Sequence, residues 1–415
     1  IPLPFRCKGL HMIILHTADW HLGKRLETHS RLPEQKRVMD EIVQHADHSG
    51  AEVILIAGDV FDQYQPGNEA DELYFSTITR LSRHGRRPVV IIAGNHDSPD
   101  HLLAPEALAR EMGIITLGYP RQEITPYQGN GWAVSRSAPG FVEIAIPDRP
   151  PLRIIATPYA NAIRLRTALD PEQREEALQD LLTHHWDALA RDYFDADGCN
   201  LFMGHLYMAS DPYHPEPEPD DEKPILYSGG IPALPVSALP AGVQYAALGH
   251  LHRTHRISGK HEPPVVYSGS PVSYSFAEAG QTKHVVIIDV QPNHPASYQY
   301  RPLTGGLPLI RHKSRDIDEA TAFLADHQDA YIELTMVCAE YLSSEWKNRL
   351  ESAHPRVLII PEIDVLENGL TANAPSFQLD HLDDVFVAYF QHKTGIPPDQ
   401  AMMDLFHELI NEDDA

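Results

Sequence analysis

Cysteine is scarce in this sequence, and the three cysteines that occur are far apart. Cys7, Cys199 and Cys338 include no CxxC pair. This spacing argues against a disulfide framework and against a cysteine-based zinc site. Scarce cysteine is typical of proteins from a reducing compartment, so a cytoplasmic location is expected.

Long hydrophobic runs are absent as well. The longest ones, Val53–Ala57 and Val89–Ala93 among them, have the length of a β-strand. A membrane-spanning helix needs roughly 20 apolar residues, so no membrane partner is expected. With 415 residues, of which 42% are hydrophobic and 22% charged, the chain has the profile of a soluble globular protein of two or three domains.

Positive charge is also in short supply, since the formal net charge is −25. An acidic protein repels the DNA backbone unless its basic residues gather on one face or a partner supplies the contact. Bound divalent cations would also reverse the local charge. The composition therefore argues against a chain that holds a polyphosphate alone, and it leaves room for the catalytic subunit of a larger assembly.

Apolar strands alternate with amphipathic helices in the first 115 residues, which predicts a sheet buried on both faces. Further strands and one long helix follow up to about residue 290. The predicted fold class is therefore α/β (α+β), with two sheets flanked by helices. Strands are predicted at 13–17, 53–57, 88–93, 114–115, 141–146, 152–156, 200–203, 245–248, 265–267 and 284–290, and helices at 33–49, 69–84, 102–111 and 171–193.

The chain is predicted to divide into a large first domain and smaller C-terminal parts. Residues 1–11 are interpreted as a tag or an extension, because Met12 opens a strand directly. Residues 12–299 form the first domain, within which the acidic, proline-rich segment Asp211–Lys223 predicts an exposed loop. A β-α-β-α-β unit is predicted at 300–367, a linker at 368–378, and two short amphipathic helices at 379–415.

Five separated motifs in the first domain share aspartate, histidine, asparagine and glycine. Four of the five directly follow an apolar strand, and in α/β sheets the carboxyl ends of the strands gather ligands at one edge. Glycines in the motifs allow the chain to turn tightly there. The motifs are DWH at 19–21, GDVFD at 58–62, GNHD at 94–97, GH at 204–205 and GHLH at 249–252.

The side chains of these motifs predict a centre of two metal ions. Taken singly, each would be read as a surface histidine, a cap or a turn residue, and only the ordered set indicates a site. Carboxylate, imidazole and carboxamide ligands suit Mn²⁺, Fe²⁺ or Zn²⁺, and paired ions need a bridging carboxylate. Asp59 is the predicted bridge, with Asp19, His21 and His252 on one ion and Asn95, His205 and His250 on the other.

The motif set resembles the calcineurin-like metallophosphoesterase superfamily over residues 12 to about 290. The closer resemblance is to the SbcD-type nuclease subunits of bacterial SbcCD complexes. It is carried by ILHTADWHLGK, LIAGDVFDQYQPG, YAALGHLHRTHRI and VVYSGSPVSYSFAEAGQTKHVVIIDV. The resemblance implies a four-layer sandwich of two sheets and flanking helices.

It also implies a chemistry. Two Mn²⁺ ions are expected, with Mg²⁺, Fe²⁺ or Zn²⁺ as alternatives. His96 would act at the scissile phosphate as a proton donor to, or stabiliser of, the leaving oxygen, and Asp97 would orient His96. The substrate would be DNA, cut by an exonuclease activity on duplex ends and an endonuclease activity on single strands and hairpins, in a nucleoid-associated protein of DNA repair and recombination.

The resemblance further implies partners. SbcD-type subunits work with SbcC, a coiled-coil ATPase, and dimerise through the phosphoesterase domain, which gives a heterotetramer. The unit at 300–367 would then be a DNA-capping domain, and the helices at 379–415 would dock on SbcC. Their apolar stripe is also compatible with an ordinary piece of core. It consists of Leu382, Val385, Phe386, Tyr389 and Phe390.

Aromatic and basic residues beside the ligand motifs are candidates for contacts with DNA phosphates. They are Trp20, Lys24, Arg25, Tyr64, Arg253 and Arg256. Two other readings stay open. One is another metallophosphoesterase, such as a cyclic-nucleotide phosphodiesterase or a phosphoprotein phosphatase, because the superfamily motifs alone do not separate these. The other is a non-catalytic scaffold, against which the complete ligand set argues.

Overall fold

A computed structural model describes residues 11–363, apart from 162, 166–173, 211–232, 258–262 and 339–341. It also describes the separate positions 386, 387, 398, 402, 403 and 406. The chain divides into two compact units, one of Ile1–Met336 with Ser343–Ile360 and one of Val337–Leu342 with Pro361–Ala415. Among the described residues, no helix is long and apolar enough to cross a membrane.

The regular elements follow one another in the following order. They are β1 (Met12–Thr17), β2 (Arg25–Leu26), β3 (His29–Ser30), α1 (Leu32–His48), β4 (Val53–Ala57), α2 (Asn68–Leu81), β5 (Val89–Ile92), α3 (Pro99–Leu103), α4 (Glu106–Glu111), β6 (Ile114–Leu117), β7 (Tyr127–Gln128), β8 (Ala133–Ala138), β9 (Phe141–Ala145), β10 (Leu152–Thr157), α5 (Arg174–Tyr193), β11 (Cys199–His205), β12 (Met208–Ala209), β13 (Leu234–Pro235), β14 (Tyr245–Gly249), β15 (His255–Arg256), β16 (Val265–Tyr267), β17 (Lys283–Val290), β18 (Ser297–Leu303), β19 (Leu309–Ser314), α6 (Ile317–Asp326), β20 (Tyr331–Cys338), α7 (Ser344–Ala353) and β21 (Val357–Ile363).

Two large sheets make up most of the first unit. The first sheet has six strands in the order β18-β17-β1-β4-β5-β6, and the second has eight in the order β15-β16-β14-β11-β10-β9-β8-β7. Within the first sheet β1, β4, β5 and β6 run parallel, as do β10, β11, β14 and β16 within the second. Each sheet therefore presents several carboxyl strand ends along one edge, which is where a site is expected.

The sheets pack face to face, and helices cover their outer faces. Side chains alternate between the two faces of a strand, so Ile14 of β1 enters the core between the sheets while Leu15 packs with Ile42 of α1. In the second sheet Ile154 points into the shared core and Ile155 packs with Trp186 of α5. This helix-sheet-sheet-helix arrangement confirms the predicted four-layer fold class.

A third, three-stranded sheet lies C-terminal to these two. Its order is β19-β20-β21, with α6 and α7 between the strands in sequence. This confirms the predicted β-α-β-α-β order of elements. Strand β18 pairs with β17 up to Leu303, so the first sheet extends past residue 299. The division into a nuclease domain and a capping domain stays a prediction.

The structure corrects some elements of the sequence prediction. The single helix expected at 102–111 is two short helices, α3 and α4, because Pro105 lacks the N–H that would continue the first. Strands β8 and β18 were not predicted. Residues 1–10, the loop at 211–223, the linker and nearly all of the C-terminal helices fall outside the described residues.

Candidate metal centre

All five motifs lie at the carboxyl ends of strands. Asp19 and His21 follow β1, Asp59 follows β4, and Asn95 follows β5. His205 is the last residue of β11, and His250 and His252 follow β14. The first three strands belong to one sheet and the last two to the other. The candidate ligands therefore gather where the carboxyl ends of the strands of one sheet meet those of the other.

The backbone of these turns is held in an uncommon conformation. Four of the candidate ligands have positive φ angles, which non-glycine residues rarely adopt and which cluster at functional sites. The values are +54° for Asp19, +43° for His21, +49° for Asp59 and +107° for His250. Two neighbouring glycines permit close packing, since a Cβ on Gly94 would lie 2.1 Å from Asp59 Oδ1 and one on Gly249 would lie 2.0 Å from the Ala57 carbonyl.

His21 and His252, which the sequence assigns to one ion together with Asp19, lie side by side. The Nε2 atoms of His21 and His252 are 3.1 Å apart. Asp59 Oδ2 lies 3.5 Å from His21 Nε2. Asp19 also contacts the other group, since its Oδ1 accepts from the His250 N–H at 2.8 Å and lies 3.8 Å from His205 Nδ1. Its Oδ2 is buried and makes no hydrogen bond within the described part of the chain. Several electron-pair donors thus face one small volume, which is the arrangement that a cation would satisfy.

The other group contains Asn95, His205 and His250. Asn95 Oδ1 lies 2.9 Å from His205 Nε2 and 3.1 Å from His250 Nδ1. Asp59 Oδ2 lies 3.4 Å from His205 Nε2. The same carboxylate oxygen therefore lies within 3.5 Å of ligand nitrogens from both groups. Asp59 has the position that a bridging carboxylate requires.

The protonation equilibria of these buried groups also suit a cation. Burial lowers the pKa of His21 and of His250 to about 3, so both rings are neutral, the form in which histidine binds metals. Burial would raise the pKa of Asp59, but the charge of His205 outweighs it and holds that pKa well below its usual value. Burial would likewise lower the pKa of His205, yet the Asp59 charge raises it to about 9. Burial raises the pKa of Asp19 to about 7, whereas the Asp59 carboxylate favours positive charge at this point, which a divalent ion would supply.

His205 is already oriented for metal binding. Its Nδ1 lies 2.9 Å from the carbonyl of Ala57, which fixes a tautomer with the proton on Nδ1. Nε2 faces Asp59 Oδ2 and Asn95 Oδ1, and it would bind an ion after giving up its proton. A metal-binding histidine commonly donates its second ring N–H in this way, and the bond sets both the tautomer and the ring orientation.

His96 lies at the edge of the cluster. Its backbone N–H donates to Asp59 Oδ1 at 2.8 Å, and its Nδ1 lies 3.0 Å from the carbonyl of Asp62. Its Nε2 makes no hydrogen bond within the part of the chain that the structure describes. The ring is 4.8 Å from that of His21, centroid to centroid. His96 is thus held at Nδ1 and presents Nε2 beside the candidate ligands.

Asp97 has a different contact set from the one that the sequence predicts. The prediction is that Asp97 orients the ring of His96, but the Asp62 carbonyl occupies that place. The Asp97 carboxylate instead accepts hydrogen bonds from the backbone N–H groups of Val60, Phe61 and Gly94, at 2.8 to 3.1 Å. It therefore ties the turn after β4 to the turn after β5, because both turns donate to it.

Arg164 is a residue of the site that the sequence did not reveal. Its side chain is only 8% exposed, and its two terminal nitrogens donate to the carbonyls of Gly94 and Asp97 at 2.7 and 2.8 Å. These carbonyls flank Asn95 and His96, so Arg164 clamps their turn from outside. Gln35, Tyr274, Glu278 and Lys283, which support the His21 and His252 turns, were also missed.

The six candidate DNA contacts are placed very differently. Trp20 is a correction, because its side chain is fully buried and its indole N–H donates to Thr17 Oγ1 at 3.0 Å. Lys24 is partly buried and forms an ion pair with Asp62, its Nζ donating to Asp62 Oδ1 at 2.8 Å. The remaining four are exposed and stay candidates. They are Arg25, Tyr64, Arg253 and Arg256.

Comparisons with known proteins agree with this geometry. Residues 12–254 match the family described as calcineurin-like phosphoesterase. The D subunit of the SbcCD nuclease of Bacillus subtilis is 35% identical, over 97% of this chain and 100% of that protein. The D subunits of the SbcCD nucleases of Rhodobacter capsulatus and Escherichia coli K12 are 31% and 28% identical, over 72% and 80% of this chain and 71% and 79% of theirs. The chain therefore belongs to the calcineurin-like phosphoesterase family and, within it, to the D subunits of SbcCD nucleases.

Proposed function

We propose that this chain is a Mn²⁺-dependent DNA nuclease that hydrolyses phosphodiester bonds at a centre of two ions. The observation that carries the proposal is the position of Asp59, whose Oδ2 lies 3.5 Å from His21 Nε2 and 3.4 Å from His205 Nε2. One carboxylate between two sets of histidines suits paired cations. A single ion would leave one of the two sets unused.

The ligands divide into two sets that share Asp59. Asp19, His21 and His252 form the first position. The contact between the two histidine Nε2 atoms supports the grouping of His21 with His252, while Asp19 is assigned to this position from the sequence motif. Asn95, His205 and His250 form the second position, supported by the contacts of both rings with Asn95 Oδ1. Oxygen and imidazole ligands without thiolates are compatible with Mn²⁺, and also with Mg²⁺, Fe²⁺ or Zn²⁺.

His96 is the proposed proton donor to the leaving oxygen. When bound, the ions would activate the attacking water and offset the charge that develops on the phosphate. His96 holds its Nδ1 at the Asp62 carbonyl and directs Nε2 towards the cluster. A histidine fixed at one nitrogen can deliver a proton from the other without reorienting. Asp97 and Arg164 both hold the turn that carries His96 in place, Asp97 by accepting from its backbone N–H and Arg164 by donating to its carbonyls.

DNA is the proposed substrate, through exonuclease cleavage of duplex ends and endonuclease cleavage of single strands and hairpins. The relatives named as nucleases support this choice over a small nucleotide or a phosphoprotein. Arg25, Tyr64, Arg253 and Arg256 are exposed and flank the ligand motifs, so they are the candidates for contacts with phosphates.

The partner is proposed to be an SbcC-type coiled-coil ATPase. The relatives are named as one subunit of an SbcCD nuclease, which supports a partnered assembly. The net charge of −25 supports it independently, because a partner would provide much of the surface that attracts DNA. In this proposal the chain dimerises through its nuclease domain, the β19–β21 sheet with α6 and α7 caps the DNA, and the segment 379–415 binds the ATPase.

A substrate comparison tests the proposed function. The full chain is stripped of metal, supplied with Mn²⁺, and offered a DNA hairpin, a blunt duplex and a cyclic nucleotide at equal concentration. We expect cleavage of the two DNA substrates, abolished when the ions are removed again by a chelator. Turnover of the cyclic nucleotide alone would contradict the nuclease proposal and indicate a small-molecule phosphodiesterase. Equal cleavage with and without the chelator would contradict the metal centre.

A further inference from the structure

Behind His252 lies a buried ion pair that the mechanism above does not use. Glu278 and Lys283 are 1% and 6% exposed, and the Lys283 ammonium donates to the Glu278 carboxylate. Glu278 belongs to the segment that joins β16 to β17, and Lys283 is the first residue of β17. Placing two charges in the interior is unfavourable unless further contacts compensate for the lost water. The other contacts of the pair therefore indicate what it is for.

Those contacts converge on His252. Lys283 Nζ donates to the His252 carbonyl at 2.9 Å and to Ser270 Oγ at 3.0 Å. Glu278 Oε1 lies 3.7 Å from His252 Nδ1. This distance is longer than that of a hydrogen bond, so the interaction between the two groups is electrostatic. The other ring nitrogen, Nε2, faces His21. One ion pair thus contacts both the backbone and the ring of a single candidate ligand.

The Glu278 carboxylate is itself fixed in place. Its Oε1 accepts hydrogen bonds from the backbone N–H groups of Tyr274 and Ser275, at 2.8 and 3.1 Å. Ser275 caps the short helical turn Phe276–Glu278, and Glu278 completes the capping box. Because the carboxylate is anchored to backbone, it can set the position of His252 rather than follow it.

The same segment reaches the turn that carries His21. The Tyr274 hydroxyl donates to the Trp20 carbonyl and accepts from Gln35 Nε2 at 2.8 Å. Gln35 Nε2 also lies 2.8 Å from the His21 carbonyl, and its Oε1 accepts from the Gly23 N–H at 3.0 Å. His21 has a positive φ, so its turn needs such support. Both histidines of one metal position are therefore supported by the Tyr274–Lys283 segment.

We propose that Glu278, paired with Lys283, is a positioning residue for His252 and thereby tunes the affinity of the metal position formed by Asp19, His21 and His252, separately from the other position. The inference rests on the proposed metal centre. A carboxylate behind a ligating histidine fixes the ring and raises its basicity, and loss of such a partner typically lowers metal affinity about 10- to 100-fold. His205, at the other position, is oriented by the main-chain carbonyl of Ala57 instead.

Calorimetric titration of the metal-free full chain with Mn²⁺ tests this proposal. For the unmodified chain we expect two bound ions. Glu278→Gln keeps the shape of the side chain and removes its charge, so we expect one binding step to weaken about 10- to 100-fold and the other to stay unchanged. Glu278→Asp keeps the charge and should recover part of the lost affinity.

A matched control separates positioning from general destabilisation. Glu143 is a second buried carboxylate paired with a cation, Arg153 at 2.8 Å, and it lies in the second sheet. Glu143→Gln should lower the thermal midpoint to a similar extent and leave both Mn²⁺ steps unchanged. Equal weakening of both steps in Glu278→Gln, or unchanged steps despite a lowered midpoint, would overturn the proposal while the metal centre stands. An unmodified chain that takes up no Mn²⁺ would overturn the metal centre and this inference together.

Discussion

The two halves of the candidate metal centre are supported in different ways. His21 and His252 are braced by polar side chains from distant parts of the chain, namely Gln35, Glu278 and Lys283. His205 is oriented by a main-chain carbonyl at the end of β4. The turn of Asn95 is held by the carboxylate of Asp97, which bonds three backbone N–H groups, and by Arg164, which bonds two carbonyls.

This difference separates what the fold determines from what single side chains determine. A ligand that donates a hydrogen bond to the backbone of a central strand is positioned as soon as that sheet forms, because the hydrogen bonds between the strands fix the carbonyl that accepts it. A ligand braced by a side-chain network can be adjusted by one substitution while the strands stay in register. We therefore expect the His21–His252 half to be the more easily tuned of the two.

The largest effect is expected from a substitution of Asp59, the candidate ligand that both halves of the metal centre share. Asp59→Asn removes the charge of the carboxylate between His21 and His205, so we expect weaker Mn²⁺ binding at both positions. Loss of several kcal/mol of transition-state stabilisation corresponds to a fall in cleavage rate of about 10³-fold or more. Calorimetry and hairpin cleavage measure the two effects, and Asp47→Asn on the surface serves as control. Retention of one tight step in Asp59→Asn would show that the halves do not share this ligand.

The next largest effect is expected from a substitution of His96, which is a candidate ligand of neither half. His96→Ala removes the proposed proton donor and leaves its backbone N–H bond to Asp59 in place. We expect the cleavage rate to fall roughly 10²- to 10⁴-fold, the usual contribution of a positioned acid, with both Mn²⁺ steps unchanged. His101→Ala, five residues along the chain, should keep nearly full activity, because His101 pairs with Asp71 rather than with the cluster. Full activity of His96→Ala would contradict the role of His96.

The candidate ligands could be predicted because their signal is local. Each follows an apolar run that forms a buried strand, and parallel strands bring their carboxyl ends to one edge. The His-x-His motif at 250–252 needed no further information, since both side chains leave the same strand end. The four layers were predictable for the same reason, because strands such as Val53–Ala57 are apolar at every position and must be covered on both faces.

The supporting residues could not be predicted because their contacts are distant in sequence. Gln35 meets Tyr274 across 239 positions, and nothing in its own helix distinguishes it from a surface glutamine. Trp20 was misplaced for the converse reason. Its position beside Asp19 and His21 suggested a contact with DNA phosphates, whereas its large apolar ring fills the core around α1. Adjacency in sequence to a site does not determine which way a side chain points.

The smallest expected effect comes from the half that contains Asn95. Arg164→Met removes the guanidinium that donates to the carbonyls flanking Asn95 and His96. We expect about 10- to 100-fold weaker binding at the Asn95 position alone, with the His21–His252 position unchanged. Arg87→Met is the matched control, because Arg87 is also buried and also donates to backbone carbonyls, but in the connections around α1 and α2. It should lower stability without altering Mn²⁺ affinity. Weakening of the His21–His252 step in Arg164→Met would mean that the two halves are not independently supported, because a change behind one would then be transmitted to the other.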